Sequence, residues 1–293
     1  MPIHYHLPVW RPPSEADSFI LQATLGCSFN RCSFCSMYRT KNFTLRALDV
    51  VNTDLQTVAR HAPNTRRVFL ADGDALAAPT DHLLAILAAL HTAFPQLERV
   101  SSYALPANLL KKSVAELTLL RETGLTLLYY GIETGSADLL KRITKGATPK
   151  AMITGLTKAR QAGLKVSATV ILGLGGQTYW REHIDATADL VNQVELDYLS
   201  TLQLMLDPMI HAEFHRKFGE PFQEQDDHAL LAEQVRLIER LNPPAPLTFR
   251  SNHASNALAL AGELPQDREK LLAQLERALV GTVRLRPEWL RGY

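Results

Sequence analysis

The sequence predicts an α/β fold built on a parallel sheet, and three observations predict it. Six apolar, β-rich runs alternate with amphipathic helical stretches from residue 18 to about 207. Polar turns, most of them glycine-bearing, follow the first, second, fourth and fifth of those runs. From Asp207 onward the pattern changes to mostly helical sequence, broken by "NPPAPLTFRSNHASN".

Taken in order, "SFILQATL" is the first strand and ends just before Cys27, and the helix "LDVVNTDLQTVARHA" follows. "RRVFLAD" reads as a buried strand running into Asp72-Gly73-Asp74, and "TDHLLAILAALHTAF" as a helix with Thr80 or Asp81 as N-cap. "RVSSYAL" precedes a single helix, "ANLLKKSVAELTLLRETG", closed by Gly124. "LTLLYYG" leads into the helix "ETGSADLLKRITKG"; the next helix starts at Thr148 with Pro149 in its first position and stops at Gly163. "LKVSATVIL" and "LDYLSTLQL" are strands five and six, separated by "TYWREHIDATADLVNQV". Runs this apolar suit strands covered on both faces. Periodicity does not distinguish an open sheet from a curled one, yet either geometry gathers ligands at the carboxyl ends of the strands. The expected segments are an N-terminal arm (1–17), a core (18–207) and a helical C-terminal extension (208–293).

Composition narrows the class. The 293 residues are 46% hydrophobic with a net charge of +1, which suits one globular unit and argues against a large nucleic-acid footprint. "MPIHYHLPVWRPPSEADS" is polar and proline-rich, unlike a signal peptide, and no apolar run is long enough to span a membrane. A cytoplasmic protein is expected.

All three cysteines, Cys27, Cys32 and Cys35, lie in "LGCSFNRCSFCSMYR" at C-x4-C-x2-C spacing. Chance grouping, a zinc site completed by a distant histidine, and an iron–sulfur cluster with one iron left without a thiolate all compete at this point. "GCSFNRCSFCSMY" directly after a first strand resembles the radical S-adenosylmethionine (SAM) superfamily. Within it, "GCSFNRCSFCSMYR", "LADGDAL", "YYGIETGS", "LKRITKG" and "FRSNHASN" are similar to a subgroup of single-domain proteins of poorly defined function. The usual spacing there is C-x3-C-x2-C, so this chain carries one extra residue between Cys27 and Cys32.

The resemblance implies a partial (β/α)6 barrel closed by the C-terminal extension. It implies a 4Fe–4S cluster on Cys27, Cys32 and Cys35, with SAM chelating the open iron. An electron from the cluster would cleave SAM to methionine and a 5′-deoxyadenosyl radical, which takes hydrogen from a substrate. Phe34 would lie near the adenine. "ADGD" stands where the family has a Gly-Gly-Glu turn whose carbonyls receive SAM's ammonium; Gly73 would permit close approach and unusual φ, and Asp72 and Asp74 would add negative potential unless they form a solvated turn. Glu133, with Ser136 nearby, would bond the ribose or the methionyl amine, although Ser136 or Thr134 also suits a helix cap. Gly173, Gly175 and Gly176 would let backbone approach the adenine, and Arg181 would meet SAM's carboxylate or stand on the surface.

In "LTFRSNHASN", "LTFR" reads as a further strand, with Arg250 expected to bind an anionic group of the substrate and His253 to exchange a proton. A small-molecule substrate and an electron donor such as flavodoxin or ferredoxin are expected, with no membrane partner. An RNA- or tetrapyrrole-modifying enzyme, and a non-catalytic metal-binding scaffold, are the alternatives.

Overall fold

The computed structural model describes residues 3–292; Met1 and Pro2 of the expected arm, and Tyr293 of the extension, lie outside the described residues. The chain divides into two compact units, one of residues up to 30, 37–130 and 154–166, the other of 31–36, 131–153 and 167 onward.

The first unit carries β1 (Phe19–Gln22), β2 (Thr24–Leu25), β3 (Thr44–Leu45), α1 (Leu48–His61), β4 (Arg67–Ala71) and α2 (Thr80–Ala93). It continues with β5 (Arg99–Ala104), α3 (Pro106–Lys111), α4 (Val114–Glu122) and most of β6 (Leu125–Glu133). Its strands run parallel in the order β1-β4-β5-β6, with Ile20 beside Phe69, Phe69 beside Ser101 and Ser101 beside Leu127. Leu21, Phe69, Leu70, Val100 and Leu128 of these strands are fully buried, as are Leu83, Ile86 and Leu87 of α2. Side chains of this kind contribute roughly 1.5–3 kcal/mol each on burial.

After β6 come α5 (Ala137–Arg142) and α6 (Pro149–Gln161), whose residues from 154 on belong to the first unit. The second unit goes on through β7 (Lys165–Leu172), from Ser167 onward, α7 (Gly176–Val191), β8 (Tyr198–Gln203), α8 (Pro208–Phe218) and α9 (Asp227–Arg240). It ends with β9 (Leu247–Ser251), β10 (Leu260–Leu264) and α10 (Arg268–Leu279). Here β7, β8 and β9 are parallel, with Ala168 beside Leu199 and Leu199 beside Phe249, while β10 lies antiparallel on β9. The α/β class and the parallel strands are as the sequence predicts, and "LTFR" does add a strand.

Four local expectations need correction. "SFILQATL" is two strands, β1 and β2, separated at Ala23, whose N–H still donates to the Ala71 carbonyl of β4 at 2.7 Å. Pro79 occupies the N-cap of α2, and the Thr80 hydroxyl donates instead to Glu116 Oε1 at 2.8 Å. The single helix expected before Gly124 is broken at Ser113, which starts α4 with a capping box: its hydroxyl accepts from Glu116 N–H while Glu116 accepts from Ser113 N–H at 2.7 Å. β10, in "LALAGEL", is unanticipated. Among the described residues no helix is long and apolar enough to cross a membrane.

The ends of the cysteine loop are pinned within the first unit. β2 and β3 pair antiparallel, Thr24 with Leu45 and Leu25 with Thr44, and so close the segment between them. Asp72, fully buried just past β4, accepts from Gln22 Nε2 at 2.8 Å, from Gly26 N–H at 2.9 Å and from Lys41 Nζ at 2.8 Å. Lys41 also donates to the His6 and Pro8 carbonyls, which fastens the N-terminal arm to the same point. Asp72→Ala removes the partner of a nearly buried cation and should cost about 3–5 kcal/mol in urea unfolding. A loss under about 1 kcal/mol would show that the ladder alone holds the loop.

Candidate active site

In the first unit, Gly26 leaves β2 with φ +70°, and a Cβ there would press on the Asn42 carbonyl at 3.1 Å. Cys27 and Ser28 follow. Gly73 donates its N–H to the Gly26 carbonyl at 3.1 Å. A Cβ at Gly73 would run into the Tyr38 ring and come within 3.3 Å of the Cys27 Cβ, so only glycine fits between them. Its φ is not in the left-handed region, which corrects the expectation of unusual φ. Asp74 is fully buried and accepts from the Ser28 hydroxyl. Burial pushes its carboxyl up to about 7, against the opposing hydrogen bonds of Ser28 and Asn108. Neither Asp72 nor Asp74 belongs to a solvated turn.

In the second unit, residues 31–36 dock on α5 and α8. Ser33 N–H donates to the Ile143 carbonyl at 2.9 Å and Lys217 Nζ to the Arg31 carbonyl at 3.1 Å. Phe34 packs on the buried cluster of Leu139, Ile143, Leu174, Phe214, Phe218 and Phe222, so it is first of all the anchor of this loop. Cys35 N–H donates to the Cys32 carbonyl at 3.2 Å. Beside these cysteines stands Lys145, a residue to which sequence reasoning gave no role. Its ammonium meets Glu133 Oε1 at 2.7 Å and lies 5.8 Å from the Phe34 ring centre. Burial pulls the ammonium down, but the Glu133 carboxylate and the charge on Cys32 and Cys35 outweigh it and hold Lys145 above the ordinary lysine range. The chain aims it inward through Thr144 (φ +53°) and Gly146 (φ +71°), and Lys145 N–H caps α5 on the Leu140 carbonyl. Glu133 ends β6 at φ +62°, a conformation that costs a side-chain-bearing residue of order 1–3 kcal/mol. Gly131 faces the pair, and a Cβ there would overlap the Glu133 carboxylate.

The turn after β6 is seated on α7. A Cβ on Gly135 would overlap the Ala186 carbonyl, and Gly135 N–H donates to Thr187 Oγ1 at 2.9 Å. Ser136 is the N-cap of α5, accepting from Leu139 N–H, and its hydroxyl donates to Glu182 Oε1 at 2.6 Å. The turn after β7 is seated on α9. Gly173 has φ +82° and donates to Glu233 Oε2 at 2.7 Å. Gly175 adopts an ordinary φ of −80° as the N-cap of α7, and the left-handed residue there is Gly176, at +54°. Arg181 is exposed and lies over the Trp180 ring at 4.4 Å, which is the surface placement.

His183 and Glu233, both fully buried, were missed. Nothing in a lone helical histidine or glutamate distinguishes it from a solvated one until the helices are packed. His183 Nε2 lies 2.9 Å from the Ile171 carbonyl and 3.5 Å from Glu233 Oε1, and Nδ1 is 2.8 Å from the Thr134 hydroxyl. Burial pulls His183 down to about 4 and pushes Glu233 up to about 8. Burial thus favours the neutral form of both.

Arg250 lies within β9, 5.0 Å from the Tyr198 ring. His253 is half-buried in the loop after β9, its Nδ1 engaged by Ser255 N–H at 3.1 Å and the Ser255 hydroxyl at 2.9 Å. Asn256 fixes that loop over the end of β8, donating to the Thr201 carbonyl and accepting from Gln203 N–H, both at 2.8 Å. Burial, then the Arg286 guanidinium, lower the His253 pKa.

A sequence model of the radical SAM superfamily matches residues 21–191. The chain belongs to the radical SAM superfamily. Radical SAM proteins use a 4Fe–4S cluster and SAM, and solved neighbours carry them. The heme chaperone HemW of Bacillus subtilis is 23% identical over 62% of this chain and 47% of its own length. TsrM of Kitasatospora setae, a radical SAM methyltransferase solved with cobalamin and a [4Fe-4S] cluster, superposes with a TM-score of 0.57 at 15% identity, covering 89% of this chain and 61% of that one. Coproporphyrinogen III oxidase HemN of Escherichia coli, a radical SAM enzyme, gives 0.55 at 17% identity over 76% and 50%. The chain spans less than half the length of the curated relatives it matches.

The residues present suit the cluster by donor chemistry. Lys145 supplies a cation beside two thiols, as anionic thiolate ligands favour, and the chain holds three thiols and no fourth. Among the described residues no group of three His, Cys, Asp or Glu side chains is gathered as a metal site. Cys27 belongs to one compact unit and Cys32 and Cys35 to the other.

Glu233 generates a pH prediction. Its folded value of about 8 lies above the ordinary 4.5, so between those values the unfolded chain has lost the proton that the folded chain keeps. Stability should therefore fall as pH rises through this window, by up to about 1.4 kcal/mol per pH unit, and level off above it. Urea unfolding between pH 6 and 9 should show that slope flattened in Glu233→Gln; parallel slopes would mean that Glu233 is ionised in the folded protein.

Proposed function

We propose that this radical SAM protein is an enzyme that cleaves SAM reductively at a 4Fe–4S cluster held by Cys27, Cys32 and Cys35, then removes a hydrogen atom from a small-molecule substrate. The observation that carries the reading is the buried Lys145–Glu133 pair beside Cys32 and Cys35, in a chain whose only thiols have C-x4-C-x2-C spacing. When bound, the cluster supplies the electron that breaks a carbon–sulfur bond of SAM and so furnishes the radical. Lys145 balances the thiolate charge and holds Glu133, which presents its carboxylate to SAM's ribose or ammonium. Gly73 offers its backbone beside Cys27, with Asp72 committed to Lys41 and Asp74 to Ser28; Gly173, Gly175 and Ser136 frame the nucleoside, and Phe34 borders it while anchoring the loop. For Arg181 to meet SAM's carboxylate it would have to leave Trp180.

Residues 18–207 form the catalytic core in this reading, with 1–17 as an arm and 208–293 as the extension that completes the pocket. Arg250 and His253 serve the substrate, His253 through Nε2 because Nδ1 is engaged within its own loop. A flavodoxin or ferredoxin in the cytoplasm is the electron source. A tetrapyrrole as the small molecule is a second reading, favoured by the names of HemW and HemN alone.

Anaerobically reconstituted protein should carry about four irons and absorb broadly near about 400 nm, and with reductant and SAM it should release 5′-deoxyadenosine. The variant with Cys27, Cys32 and Cys35 all changed to alanine should do neither. Native protein that holds zinc in place of iron, or a triple variant that keeps its iron, overturns the proposal.

Arg250→Ala and His253→Ala should retain the cluster and slow uncoupled SAM cleavage. Turnover of the substrate, once found by screening cell extracts for faster 5′-deoxyadenosine release, should fall by about 10²–10⁴ for His253→Ala. Full turnover in either variant would return that residue to a structural role.

A further inference from the structure

We propose that His183 and Glu233 are positioning residues that tie the turn after β6 to the turn after β7, so that the two form one preorganised surface for the SAM nucleoside. This rests on the reading of those turns given above. The tie is a set of buried hydrogen bonds that meets at the end of β7, where His183 holds Ile171 and Glu233 holds Gly173 two residues on, while Glu233 Oε1 has no hydrogen-bond partner. Gly135 N–H donates to Thr187 Oγ1 at 2.9 Å, and the Thr187 hydroxyl donates to the His183 carbonyl. The Thr134 hydroxyl lies 2.8 Å from His183 Nδ1, while Ser136 N–H donates to Thr134 Oγ1 at 3.1 Å. On its other side, His183 Nε2–H donates to the Ile171 carbonyl at the end of β7 and lies 3.5 Å from Glu233 Oε1. Glu233 Oε2 then accepts Gly173 N–H at 2.7 Å.

The Ile171 carbonyl can only accept, so Nε2 carries a proton; in the neutral ring Nδ1 then accepts from Thr134. Complete burial favours that neutral form. Glycine turns have more backbone freedom than any other kind, and a ligand spanning two of them would have to order both on binding. Here that order is already built. Gly135 leaves no room for a Cβ against the α7 backbone, and a Cβ on Gly173 would press on Leu230 of α9 at 2.9 Å. Neither histidine nor glutamate reaches solvent, so each acts through the turn it holds.

The test is hydrogen–deuterium exchange, followed by mass spectrometry, on the full chain with reconstituted cluster, with S-adenosylhomocysteine as probe. Glu233→Met should speed exchange at Gly173 and also in the peptide containing Gly135, and should weaken S-adenosylhomocysteine binding about tenfold. Glu233→Gln, a neutral acceptor of the same shape, should restore both to near wild type. Thr134→Val perturbs the other end and keeps the test decisive should Glu233→Met fold poorly: it should speed exchange at Gly173. Exchange that changes only in the turn next to the substitution, or Gln behaving like Met, overturns the tie. Protection of both turns by S-adenosylhomocysteine in the unmodified protein tests the cofactor reading separately. Spread of exchange without such protection leaves the tie standing and that reading fallen.

Discussion

The cysteine loop depends on one buried carboxylate. Asp72 accepts from the first residue of that loop through Gly26, from its last part through Lys41, and from the first strand through Gln22. Each hydrogen bond to a charged group is worth about 1.5–3 kcal/mol, which outweighs the cost of ordering a residue or two but not of ordering a whole loop. The geometry reflects that balance. Both ends are fixed by Asp72 and the β2–β3 ladder, and the middle is fixed separately, by Phe34 in an aromatic cluster and by main-chain bonds to Ile143 and Lys217. The proposed cluster would benefit from this treatment, since a free loop would lose the ordering entropy again whenever the group bound.

The second unit solves an electrostatic problem in the same local way. A buried lysine is unfavourable alone, and so is a buried glutamate. At 2.7 Å, Lys145 and Glu133 neutralise one another, and the two nearby thiols let the cation side of the pair do a second job. The strained φ of Glu133 places its carboxylate where a relaxed strand end would not. Strain held at a strand end, next to ligand-type side chains, is stabilised by the surrounding packing and not by the residue itself.

What was legible follows from this. Runs such as "RVFLA" and "KVSATVIL" were read correctly because a strand buried on both faces has one signature, continuous apolar and β-branched sequence. Cys27, Cys32 and Cys35 stand out in the sequence because thiols so closely spaced have few structural uses. Lys145 was not, because "KRITKG" reads as a solvated helix end and only the positive φ of Thr144 and Gly146 turns it inward. The partnership of Asp72 with Gly26 spans 46 residues and leaves no local trace. The break at Ser113 was legible and overlooked: Ser-Val-Ala-Glu is a capping-box sequence, outvoted by the helical periodicity on both sides. For Arg181 the sequence leaves a surface position open beside a ligand role, and the neighbouring Trp180 indole supplies the surface one; Gly175 serves the fold as the N-cap of α7.

The change of pattern at Asp207 marks a change in composition and not a seam in the packing. α9, well beyond it, supplies Glu233 to Gly173 after β7; Asn256 caps Thr201 and Gln203 at the end of β8. Further on, Arg286 donates to the His253 and Ala254 carbonyls, and Arg291 pairs with Asp227 at the start of α9. Buried backbone groups without partners are costly, so strand ends that borrow their partners from later helices cannot be ordered before those helices dock. The residues after 207 are therefore not an optional cover. They complete the polar accounting of the strand ends in the second unit, and through Glu233 and Asn256 they set the shape of the turns on which the proposed chemistry rests.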